Sequence, residues 1–75
     1  MSNPFEILGV EPRFDLDVRV LEKKYRDLAR RVHPDRYAQS PPEERRSALE
    51  RAVQLNEAYA TLRDEVSRGE ALLRL

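Results

Sequence analysis

The chain has 75 residues, with fourteen basic and fourteen acidic side chains, one histidine and no cysteine. That length holds one small domain, and the zero net charge argues against a general binder of nucleic acid or anionic membrane, which would carry net positive charge. Without cysteine there are no disulfides or thiolate metal sites, and a single imidazole makes no zinc ligand set, so neither a metal nor a cofactor is expected.

Ser2-Asn3-Pro4 opens a short helix over about 4–8: a polar cap, then proline in the first turn, where its missing N–H costs nothing. Phe5 and Leu8, three apart, point inward together, and Gly9 supplies the left-handed residue that ends the turn. Val10 to Leu16 reads as a connection around Pro12, with Phe14 and Leu16 as apolar plugs. Asp17 caps a long helix over about 17–32, in which Val18, Leu21, Tyr25, Leu28 and Val32 recur at spacings of three and four on one face. On the opposite face Arg19, Lys23, Arg26 and Arg30 form a basic stripe, with Lys24 and Arg31 to one side. Such a stripe is often no more than a solvated face, but this one leads directly into His33-Pro34-Asp35.

Arg36 to Ser40 is a polar connection, and Ser40-Pro41-Pro42-Glu43 reads as a capping box that opens a third helix over about 41–62. Its buried stripe is Ala48, Ala52, Leu55, Ala58, Tyr59 and Leu62. The small alanines let two helix axes approach closely, so the second and third helices are expected to pack as an antiparallel hairpin. Asn56 lies at the edge of that stripe, where a structural hydrogen bond and a functional role are both open. Asp64 caps a short final helix over about 65–74, with Val66, Gly69 and Leu73 toward the hairpin. Leu72 and Leu75 fall on another side and are expected to be solvent-exposed. The fold class is therefore all-α, a helical hairpin flanked by two short helices.

No apolar run approaches bilayer-spanning length and no signal-peptide pattern is present, so a soluble, cytoplasmic domain is expected. Enzymatic chemistry has little to work with. His33 could pair with Asp35, but residues two apart around a proline do not naturally make a base and its orienter. No serine sits in a strand-to-helix elbow, and two glycines make no phosphate-binding loop. Binding is the better class. A rigid loop carrying an imidazole and a carboxylate beside a basic row suits orientation of a charged protein partner. The competing reading is a helix-turn-helix DNA reader, weakened by the zero net charge and by a connection too long for that motif's tight turn.

The order of short helix, basic helix, His33-Pro34-Asp35, alanine-lined helix and short fourth helix resembles a J domain, the module by which co-chaperones engage DnaK-type heat-shock ATPases. Phe14-Asp15-Leu16-Asp17, Tyr25, Leu28, Arg36-Tyr37, Leu55-Asn56-Glu57-Ala58-Tyr59, Thr61-Leu62-Arg63-Asp64, Arg68 and Leu72-Leu73 make it most similar to the N-terminal domain of the HscB-type co-chaperones of iron–sulfur cluster assembly. Glu65 departs from the proline usual after the aspartate that opens the fourth helix. The resemblance implies a non-enzymatic module that docks on a DnaK/HscA-type chaperone and stimulates its ATP hydrolysis. His33 and Asp35 would make polar contacts, Pro34 would shape the loop, and Arg19, Lys23, Arg26 and Arg30 would dock electrostatically. It also implies that residues 1–75 are the J domain at the N-terminal end of a two-domain co-chaperone, whose second domain binds the iron–sulfur scaffold. A J domain serving other clients is the alternative within the family.

Overall fold

The computed structural model describes residues 2–75, and every regular element among them is helical. α1 spans Pro4–Leu8, α2 Val18–Val32, α3 Pro42–Arg63 and α4 Glu65–Leu73, with a 3₁₀ turn over Pro34–Tyr37 between α2 and α3. The helix ends follow from local chemistry. Asn3 accepts the Glu6 amide on its side-chain oxygen at 3.0 Å, and Asp17 accepts the Arg19 amide at 2.9 Å. Gly9 takes a φ of 67°, a conformation glycine enters without steric cost, and its amide donates to the Glu6 carbonyl.

α2 and α3 form the expected antiparallel hairpin. Tyr25 stacks on Tyr59 with ring centroids 4.3 Å apart, while Val32 at the far end of α2 faces Leu49 and Ala52. As numbers rise along α2 they fall along α3. The Tyr25 hydroxyl donates to Asn56 Oδ1 at 2.6 Å, so Asn56 is a structural tie across the hairpin. Phe5 and Leu8 of α1, Leu21 of α2, Leu55, Ala58 and Leu62 of α3 and Ala71 of α4 make the buried core. Val18, at the first position of α2, is only half covered.

Three expectations need correction. Ser40 does not cap α3: Pro41 is the N-cap, without a side-chain hydrogen bond, and the Ser40 amide closes the preceding turn on the Tyr37 carbonyl. Because Pro41 and Pro42 carry no N–H, fewer donors at this end require a cap. Phe14 is a partial plug, 52% exposed, whereas Leu16 packs against the core. The largest difference is the face of α4. Val66 is 69% and Leu73 88% exposed, while Ala71 is buried and Leu72 packs against the core. Leu75 is exposed, as expected.

The reason is Arg68, which occupies the inward position and is 3% exposed. Its Nη1 donates to the Leu16 carbonyl at 3.4 Å, and its guanidinium carbon lies 5.1 Å from the Phe14 ring centroid. The long aliphatic stem lets an arginine fill an apolar position while its head reaches the 10–17 connection. Its Nε is buried without a partner among the described residues. An unsatisfied buried donor costs roughly 1–3 kcal/mol, about what a desolvated cation–π contact returns. Arg68 thus sets which face is buried more than it adds stability.

α4 depends on its cap. Asp64 Oδ2 accepts the Ser67 amide and the Ser67 hydroxyl, both at 2.9 Å. The Ser67 backbone bond, then its hydroxyl, hold the Asp64 carboxyl below the ordinary carboxylate range. A lowered folded-state value means that the stabilisation is fully present above the unfolded value, about pH 4. It is lost as pH falls through the lowered one. Asp64→Ala is expected to speed hydrogen exchange in the first turn of α4 several-fold at pH 7, and Asp64→Asn to remove the acid-dependent part of that exchange. Unchanged α4 exchange in Asp64→Ala would show that tertiary packing alone holds the helix.

Candidate docking surface

The basic helix presents Arg19, Lys23, Arg26 and Arg30, all exposed, on the face away from the core. The stripe is less purely positive than its spacing suggests. Arg26 pairs with Glu22, Arg30 pairs with Asp27 at 2.7 Å, and Arg19 lies 3.7 Å from Asp17. These exposed pairs are each worth little and open readily to a competing carboxylate. Lys23 makes no ion pair among the described residues. Lys24 belongs to the fold: its Nζ donates to the Gly9 carbonyl at 3.2 Å, tying α2 to the end of α1.

α2 stops because His33 is extended, with φ −60° and ψ 131°, as the residue before a proline prefers. Pro34 then starts the 3₁₀ turn, and the Asp35 amide donates to His33 Nδ1 at 3.2 Å. An accepting Nδ1 is unprotonated, which puts the proton of the neutral ring on Nε2. Asp35 Oδ2 lies 3.6 Å from Nδ1, beyond hydrogen-bonding distance, so the two side chains form no base-and-orienter pair. His33, Pro34 and Asp35 are all exposed, side by side at the end of the basic helix. The triplet therefore offers a hydrogen-bond donor and a carboxylate to a partner, on a backbone whose proline limits its freedom.

Spacing and composition give the next two residues, Arg36 and Tyr37, no role of their own. Arg36 Nη1 reaches the Arg30 carbonyl and the Tyr37 hydroxyl the Arg31 carbonyl, each at 3.4 Å. The signal was present, because a proline two residues past a helix end leaves a carbonyl without its amide. Beside the turn, Val32, His33 and Pro34 line a groove with Leu49 and Val53 of α3. Among the described residues no cluster of three or more potential metal ligands forms, and no helix is long and apolar enough to cross a membrane.

With this geometry in hand, residues 3–70 match the family model described as the DnaJ domain. The chain belongs to the DnaJ domain family. Its relatives place this J domain with the HscB type. It is 41% identical over 73 residues to a co-chaperone protein HscB homolog of Shewanella loihica, covering 97% of this chain and 42% of that protein. The corresponding protein of Aeromonas salmonicida is 45% identical over 73 residues, with the same 97% and 42% coverage. Among solved structures, the chaperone HscB from Vibrio cholerae superposes with a TM-score of 0.93 at 40% identity, covering 97% of this chain and 44% of that one. Human co-chaperone protein HscB gives a TM-score of 0.94 at 31% identity, covering 99% and 38%. The J domain thus spans less than half the length of these relatives.

Proposed function

We propose that this J domain docks on a DnaK/HscA-type heat-shock ATPase in the cytoplasm, stimulates its ATP hydrolysis, and does so in iron–sulfur cluster assembly or transfer. The observation that carries the reading is the placement of His33-Pro34-Asp35: exposed, capped by its own imidazole, and joined to the helix bearing Arg19, Lys23, Arg26 and Arg30. The basic face brings the chaperone in and fixes its orientation. The turn then makes the polar contacts that favour the hydrolysing arrangement. A ligand shifts such an equilibrium only by binding one state better, so the triplet's contacts must differ between the chaperone's states. The HscB names of the relatives support the iron–sulfur setting over a general J protein. Scaffold recognition is assigned to a second domain, of the kind the longer relatives have room for. The DNA reading is the weaker one, because fourteen basic residues stand against fourteen acidic ones and leave no net positive charge to hold a phosphate backbone.

The test is a charge reversal, Arg26→Glu with Arg30→Glu. Folding should change little, since each new like-charge pair on α2 costs about 0.2–0.5 kcal/mol. Apparent affinity for the chaperone should fall roughly tenfold at low salt, a loss that shrinks near 1 M salt, where the screening length is about 3 Å. Unaltered chaperone affinity at low salt would reduce the stripe to a solvated face. Salt-sensitive, sequence-dependent binding of duplex DNA in a gel-shift titration would favour the DNA reader.

A further inference from the structure

The His-Pro-Asp triplet creates a hydrogen-bonding deficit at the end of α2. In a continuing helix the Arg30 carbonyl would accept the amide of residue 34, and the Arg31 carbonyl that of residue 35. Pro34 has no N–H, and the Asp35 amide is spent on His33 Nδ1. Of the carbonyls left over, those of Arg30 and Arg31 are reached by the next two side chains, Arg36 and Tyr37, at 3.4 Å each. Both contacts are long, so neither fixes the turn by itself. Tyr37 has a second attachment: the Arg51 guanidinium carbon of α3 lies 5.9 Å from the centroid of its ring. Its carbonyl also accepts the Ser40 amide at 3.0 Å, closing the turn that leads into α3. Tyr37 is half-buried, whereas His33, Pro34, Asp35 and Arg36 are exposed.

We infer that Tyr37 is the positioning residue of the His-Pro-Asp turn, tying it to α2 through the hydroxyl and to α3 through the ring. The triplet then keeps one placement relative to the basic face, and a docked partner meets it without first having to order it. The consequence for ATPase stimulation rests on the docking reading above; the geometry does not. The ring carries more of the tie than the hydroxyl, because the hydroxyl contact is long. Tyr37→Phe should therefore come close to the unaltered chain, and Tyr37→Ala should not.

The deciding measurement is backbone ¹⁵N relaxation on the 75-residue chain. In Tyr37→Ala the amide order parameters of Asp35 and Arg36 should fall from the rigid range of about 0.85 to below about 0.6, with overall helicity retained. Tyr37→Phe should hold them near the rigid range. In an ATPase titration Tyr37→Ala should lower maximal stimulation roughly tenfold, as a turn correctly placed in about one docked complex in ten would give. The half-saturating concentration, set by the basic face, should move less than about twofold. Arg51→Ala should give a smaller loss and add nothing in the Tyr37→Ala background, since one tie cannot be broken twice. Unchanged order parameters at Asp35 and Arg36 in Tyr37→Ala would overturn the inference whatever the ATPase does. So would full stimulation by Tyr37→Ala in an assay where His33→Gln is inactive. If His33→Gln is itself fully active, the docking reading has failed and the order parameters alone decide the role of Tyr37.

Discussion

His33→Gln should reduce stimulation of a DnaK-type ATPase to background while leaving the fold in place. His33 is exposed and contributes nothing to the core, and the one hydrogen bond its side chain makes among the described residues caps a four-residue 3₁₀ turn. Loss of that cap should cost less than about 1 kcal/mol, leaving helicity unchanged and the melting point within about 8 °C. The functional loss is larger because glutamine replaces both working edges of the ring. The flexible amide cannot hold the Asp35 amide as Nδ1 does, and it presents its donor from another position than Nε2. A partner that reads the donor and the Asp35 carboxylate together loses both placements at once. The check is single-turnover ATP hydrolysis with saturating J domain, beside circular dichroism on the same sample. A folded His33→Gln chain that stimulates normally would remove the turn from the mechanism.

Much of this arrangement was legible in the sequence because it depends on local rules. Asn3, Gly9, Asp17 and Asp64 end their helices through contacts within a few residues, and all four do what their chemistry dictates. The stripe from Ala48 to Leu62 needed only helical periodicity and small side chains. What failed depends on partners far along the chain or on competing local bonds. Periodicity sorts residues by type, so it gave Val66 and Leu73 the inward face of α4. The buried residues there are Ala71 and an arginine, Arg68, whose partner, Leu16, lies 52 positions earlier. Ser40 looked like a cap but is engaged by the preceding turn. The continuous basic stripe ignored Glu22 and Asp27, which lie one turn from the arginines they pair with. Placement of the His-Pro-Asp turn was legible because proline forbids helix there. Its attachments through Tyr37 and Arg51 were not, since a ring packed under a guanidinium needs α3 already in place.

Leu62→Ala should be the most damaging of the single core truncations. Leu62 is fully buried, sits on the α3 stripe that faces the rest of the domain, and belongs to one cluster with Phe5, Leu8, Leu21, Leu55, Ala58 and Ala71. Truncation removes transfer free energy and leaves a cavity bounded by several helices that cannot all collapse into it, a loss of about 2–5 kcal/mol. At roughly 0.05–0.15 kcal/mol per residue, a domain of this size has about 4–11 kcal/mol to lose, so the variant stands near the edge of folding. The melting point should drop by roughly 8–40 °C, given about 4–8 °C per kcal/mol for domains this small. The informative comparison is Leu73→Ala, the same change of side chain at a position 88% exposed. There the cost should stay within about 0.5 kcal/mol, as for other surface substitutions. Both should be measured by urea unfolding, with m-values confirming a comparable native state. Below its melting point Leu62→Ala should still stimulate the chaperone in proportion to its folded fraction, because Leu62 lies inside the domain and away from the turn. Equal destabilisation by Leu73→Ala and Leu62→Ala would return α4 to the face that spacing alone assigns it, with Arg68 turned outward.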